Sequence, residues 1–182
     1  AELAGRVNAY LAGATADNRF ATFAMVRISP LGEMFGVNAG HLPVLIRRRD
    51  GTIEEIESSG LPLGILEMAT YSESLTRMEP GDLLVLFTDG LTEAEDSDDE
   101  EFGLVRVAEV TAGLEEPTAE KLCDAIHDAV EAHTGGGALH DDATLLVVER
   151  LAELSAQDPG LTPRGHSMMR RRIRGSRQEV VR

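Results

Sequence analysis

The chain has a single cysteine, Cys123, among its 182 residues. No internal disulfide can form, so the fold must rest on a packed core, which a domain of this size can build, and the usage fits a reducing compartment. Cys123 lies between Leu122 and Ile126 in a helical pattern, which predicts a packed thiol rather than a nucleophile. Long apolar runs are also missing. No stretch approaches the roughly 20 residues needed to span a bilayer, and no signal peptide precedes the first motif, so the expected location is the cytoplasm; no membrane is predicted for this segment, and any attachment would have to come from other parts of the protein. Positive charge is scarce: 17 Lys and Arg face 32 Asp and Glu, for a net charge of −15. Residues 151–182 hold seven arginines against three acids, a net +4, which leaves −19 on residues 1–150. So acidic a body argues against nucleic acid as a partner, because a phosphate backbone attracts the opposite sign.

What is present centres on two strand-like runs that end in carboxylates. Leu83 to Phe87 leads straight into Thr88-Asp89-Gly90, and His140-Asp141-Asp142-Ala143-Thr144 feeds Leu145 to Val148. Short apolar runs bounded by turn residues read as strands with both faces covered. An ionised Asp at the rim of such a strand must be solvated, hydrogen-bonded or paired with a cation, and hard oxygen ligands of this kind suit magnesium or manganese. Taken singly, Thr-Asp-Gly and Asp-Asp are ordinary turn signals.

Eight motifs in order make the pair more specific. The block from Arg19 to Glu149 carries Phe20-Ala21-Thr22-Phe23, Asn38-Ala39-Gly40-His41-Leu42-Pro43, Asp50-Gly51 and Gly60-Leu61-Pro62-Leu63-Gly64. It continues with Pro80-Gly81-Asp82, Phe87-Thr88-Asp89-Gly90-Leu91-Thr92-Glu93, Glu101-Phe102-Gly103 and Asp141-Asp142-Ala143-Thr144. This series resembles the SpoIIE-type, RsbU-like branch of the protein phosphatase 2C-like, metal-dependent serine/threonine phosphatases. The resemblance implies an α+β fold of two antiparallel β-sheets flanked by helices. It also implies two Mn2+ or Mg2+ ions that activate a shared water and grip the phosphate. Asp89 and Asp141 match two of the family's metal ligands. Gly90 turns the chain after Asp89, and Asp142 stands where relatives often carry Asn, which implies an orienting or turn-capping role.

The family's third ligand is an aspartate in a Gly-Asp dipeptide that closes an opening strand, and the given residues supply no counterpart. They begin in Glu2 to Leu11, where Leu3, Val7, Tyr10 and Leu11 fall at helical spacing and resemble the family's second helix. By that comparison the domain is incomplete at its N-terminus. Asn38, Gly40 and His41 are assigned a structural or substrate-side role. His127, His133 and His140 match no zinc spacing. The acidic cluster from Glu93 to Glu101 reads first as a solvated loop, with steering of a cation or a basic partner as the lesser alternative.

The remaining pattern gives two hairpins, Ala21–Ile28 with Gly32–Asn38 and Val44–Arg49 with Thr52–Glu57, around turns rich in Pro, Gly and Asp. Helices are expected over Leu104 to Thr111 and Ala119 to His133, the latter with Leu122, Ile126, Ala129 and Val130 on its apolar face. Strands in runs followed by helices in runs give α+β layering. Residues 1–150 form the phosphatase-like domain and residues 151–182 a basic, disordered tail. The resemblance implies hydrolysis of phosphoserine or phosphothreonine on a phosphorylated regulatory protein, by analogy an anti-sigma-factor antagonist in bacterial signalling. It leaves the oligomeric state open, a dimer included. The alternative is a catalytically inactive phosphatase-fold fragment that binds a partner.

Overall fold

The computed structural model describes residues 1–14, 19–152, 166–174 and 177–181. Two compact units divide it: Ala1–Val44 with Glu55–Met78, and Leu45–Glu54 with Glu79–Arg182.

The first unit is built on a three-stranded antiparallel sheet in the order β1-β2-β5, formed by β1 (Phe23–Ile28), β2 (Glu33–Ala39) and β5 (Ser74–Arg77). The β1–β2 hairpin closes through Pro30 and Leu31, with Ile28 opposite Met34. Helix α1 (Glu2–Ala14) precedes the sheet. Its Ala4 is buried with Val37, Ala39, Leu63 and Tyr71, and Val7 and Leu11 pack on the same cluster. Leu3 and Tyr10, at 50% and 73% exposure, lie off that face. The helical spacing of apolar residues thus located the helix, but its inward stripe runs through Ala4, Val7, Asn8 and Leu11. Asn8 is fully buried. Its amide donates to the carbonyls of Leu66 and Glu67 at 2.9 and 3.0 Å and accepts the Gly64 N–H at 2.9 Å, so every polar atom of the side chain is paired.

The second unit carries most of a six-stranded antiparallel sheet in the order β4-β3-β6-β7-β8-β9. Its strands are β3 (Val44–Arg47), β4 (Ile53–Ile56), β6 (Leu83–Phe87), β7 (Ala143–Arg150), β8 (His166–Arg174) and β9 (Arg177–Val181). The run Leu83 to Phe87 is buried at every position but Leu86, as an apolar run bounded by turns implies. Its partner β7 differs from that reading, because Ala143, Leu145 and Val147 are buried while Thr144, Leu146 and Val148 are only half-buried. Helices α2 (Asp89–Thr92), α3 (Gly103–Gly113) and α4 (Ala119–Thr134) complete the unit, with α4 against β7 and β8. Thr118 caps α4 by accepting the Lys121 N–H, and Gly135 ends it in the left-handed conformation. Leu122, Cys123, Ile126 and Val130 face inward, and Cys123 is a buried thiol.

Residues 151–182 depart from the disordered reading where they are described. Strand β8 pairs along the whole of β7, from Ala143 opposite Ile173 to Arg150 opposite His166, and β9 folds back on β8. Ladder hydrogen bonds use backbone groups alone, so an arginine-rich segment can satisfy an open strand edge without supplying a core. Residues 153–165 lie outside the described residues. Among the described residues no helix is long and apolar enough to cross a membrane.

Candidate metal centre

Antiparallel register brings the two carboxylate motifs together. Phe87 stands opposite Leu145, so the C-terminal end of β6 and the N-terminal end of β7 lie at one end of the sheet. Beyond that pair the Thr88 N–H donates to the Thr144 carbonyl at 3.0 Å. The chain then winds into α2, a single turn in which the Leu91 N–H donates to the Thr88 carbonyl and the Glu93 N–H to that of Asp89. Gly90 is buried in this turn against the other motif: a Cβ added there would come within 2.9 Å of the Asp142 carbonyl oxygen and 3.1 Å of its carbon. Contacts under 3 Å to backbone require something to shift, so a residue without a side chain is needed where the two loops touch.

Asp89, Asp141 and Asp142 are all exposed at this seam. One oxygen of Asp89 accepts its neighbour's N–H, Gly90 N at 3.0 Å, and one oxygen of Asp141 accepts the Asp142 N–H at 2.6 Å. Each carboxylate therefore keeps lone pairs directed to solvent. Exposed carboxylates are the kind of donor that Mg2+ or Mn2+ takes, since those ions retain several waters and bind through a few acidic side chains. The acids that follow are locally ordered. Asp96 accepts the N–H groups of Asp98 and Glu100 at 2.8 and 3.0 Å, and these bonds hold its carboxyl below the ordinary range. Arg106 pairs with Glu100, and the His133 ring approaches the Glu100 carbonyl at 2.8 Å.

Asn38, Gly40 and His41 belong to the first unit. The Asn38 amide donates to the Leu42 and Ile56 carbonyls at 3.0 and 3.3 Å, and its oxygen accepts the His41 N–H at 2.9 Å. Gly40 sits at φ +68°, and its N–H donates to the Ser58 hydroxyl at 2.7 Å. The His41 ring nitrogen Nδ1 lies 3.1 Å from the Leu42 carbonyl. Asn38 and Gly40 thus organise the turn itself.

A different cluster escaped the sequence reading. His127, Asp128 and Glu131 on α4 offer ligand atoms within 4.8 Å of one another, with His127 buried and both acids exposed. The i to i+4 spacing of His127 and Glu131 was the available signal. Nδ1 of His127 is 3.4 Å from the Asp128 carboxylate and 3.9 Å from that of Glu131.

Comparison with known proteins agrees with the fold. The family model described as Stage II sporulation protein E (SpoIIE) matches residues 1–151. Protein IcfG of Synechocystis is 33% identical over 134 residues, covering 72% of this chain and 21% of its own. Phosphoserine phosphatase RsbU of Bacillus subtilis is 32% identical over 117 residues, covering 62% of this chain and 33% of its own. The chain therefore spans about a fifth to a third of the length of these relatives. Among solved structures, the manganese-soaked phosphatase domain of SpoIIE from B. subtilis superposes with a TM-score of 0.65 at 23% identity, over 87% of this chain and 70% of that one. Two antiparallel sheets with helices, the ordered motifs and a family match over most of the length agree: the chain belongs to the SpoIIE family of PP2C-type protein phosphatases.

Proposed function

We propose that this chain hydrolyses phosphoserine or phosphothreonine on a regulatory protein in the cytoplasm, by analogy an anti-sigma-factor antagonist, with Asp89 and Asp141 holding divalent metal. The observation that carries the reading is the seam between α2 and the Asp141-Asp142 turn. There the β6–β7 register brings together the backbone segments that carry two exposed aspartates from distant parts of the sequence. Bound Mn2+ or Mg2+ supplies a water of lowered pKa and neutralises charge on the transferring phosphoryl group. The protein's own part is positional. Asp89 is carried by the first turn of α2 and Asp141 by the turn into β7, and Gly90 lets the two loops meet. Asp142 presents its backbone carbonyl to this contact, in keeping with a supporting role. The manganese-soaked SpoIIE domain and the name of RsbU support the metal and the phosphoserine substrate class for those proteins.

A metal requirement follows. The protein as its gene encodes it should hydrolyse a phosphoserine peptide in millimolar Mn2+ or Mg2+ and lose that turnover when the ions are chelated. Phosphate release measured with and without EDTA decides the point. Turnover that is indifferent to chelation would count against the reading, and so would a complete lack of turnover in every divalent ion tried.

A further inference from the structure

The loops that carry Asp89 and Asp141 are joined through one side chain. In a continuing antiparallel ladder, the Thr144 N–H would donate to the Thr88 carbonyl, just as the Thr88 N–H donates to the Thr144 carbonyl at 3.0 Å. That carbonyl has been taken into α2, where it accepts the Leu91 N–H at 3.0 Å. The Thr88 hydroxyl stands in for it. Oγ1 accepts the Thr144 N–H at 2.9 Å and donates to the Asp142 carbonyl at 3.3 Å. One hydroxyl thus serves two backbone groups of the second loop while its own residue immediately precedes Asp89. On the other side of the same contact, Gly90 lies against the Asp142 backbone. With α2 only four residues long, helix formation alone cannot fix the direction of Asp89, because a single turn is a costly nucleus without outside support.

We propose that Thr88 is a positioning residue: its hydroxyl sets the separation and orientation of Asp89 relative to Asp141 and so the affinity of the site for divalent metal. The inference rests on the assignment of Asp89 and Asp141 as metal ligands. Groups that orient metal ligands without touching the ion typically contribute about 10–100-fold to affinity. Val has the shape of Thr but neither donates nor accepts, so Thr88→Val would leave the Thr144 N–H and the Asp142 carbonyl without this partner. Thr88→Ser keeps the hydroxyl.

The test is Mn2+ affinity, read from the electron paramagnetic resonance signal of the free ion, on the encoded protein and its variants. Metal-free melting midpoints are recorded alongside. Thr88→Val should raise the dissociation constant by about tenfold or more, and Thr88→Ser should restore it to within about threefold of the parent. An unchanged affinity in Thr88→Val, with or without a lower melting midpoint, would overturn the proposal by reducing Thr88 to a structural part. Should Thr88→Val not fold, Thr88→Ala decides: it also removes the hydroxyl, with a smaller side chain, and Mn2+ binding weakened about tenfold supports the proposal while parental affinity refutes it. Asp89→Asn separates the two levels. Loss of affinity there with parental affinity in Thr88→Val defeats only the positioning role, whereas parental affinity in Asp89→Asn removes the ligand assignment beneath it.

Discussion

Asp89→Asn is expected to lower Mn2+-dependent hydrolysis of a phosphoserine peptide by more than about a hundredfold, and Asp141→Asn to do the same. The scale follows from the general rule that even hydrogen-bond partners of metal ligands are worth about 10–100-fold, so a ligand itself exceeds them. Neither change should disturb the fold. Both side chains are exposed, and the one hydrogen bond assigned to each, from Gly90 N and from Asp142 N, uses an oxygen that asparagine retains. What is lost is a unit of negative charge and one carboxylate oxygen. Steady-state rates on the encoded protein, with far-UV circular dichroism as a control for folding, check this. A rate within about tenfold of the parent in either variant would exclude that residue from the ligand set.

The largest effect on stability should come from Gly40→Ala. Gly40 adopts φ +68°, and a Cβ there would lie 2.3 Å from Pro62 Cγ, 2.5 Å from its Cδ and 2.7 Å from its backbone nitrogen. Ring and main chain cannot swing aside as the end of a flexible side chain could. The left-handed conformation costs a non-glycine residue about 1–2 kcal/mol, and forcing atoms into a packed contact costs about 1–3 kcal/mol more. A loss of about 2–5 kcal/mol is expected, which at about 2–4 °C per kcal/mol lowers the melting midpoint of a domain this size by at least about 4 °C. Chemical denaturation of parent and variant gives the value directly. A change under about 1 kcal/mol would mean that the Asn38–Pro43 turn relaxes to admit the methyl group.

Local signals explain which parts of this architecture can be read from residues alone. The hairpins at Pro30-Leu31 and Asp50-Gly51 are announced by turn residues between strand-like runs, and α4 by its Thr118 cap, its apolar face and the glycines after it. Strand β5 carries no such signal: Ser74-Leu75-Thr76-Arg77 is four residues long with Leu75 at 69% exposure, and it exists because β2 offers an edge to pair with. Helix α2 is equally silent, since one turn has no periodicity. Strands β8 and β9 are hidden by their arginines. At the candidate site, Asp89 and Asp141 are legible as acids closing and opening apolar runs. The Thr88 hydroxyl, the Gly90 contact and the fully buried Asn8 are not, because each depends on a register or a partner more than fifty residues away.

The central claim is that Asp89 and Asp141 bind the divalent ions on which hydrolysis depends. Anomalous scattering at the manganese edge, from crystals of the encoded protein grown with Mn2+, tests it most directly. The account predicts manganese at the α2–β7 seam with carboxylate oxygens of both Asp89 and Asp141 at about 2.1 Å, the range expected for a small octahedral divalent ion. Manganese bound instead at His127, Asp128 and Glu131, with the seam empty at saturating metal, would contradict it.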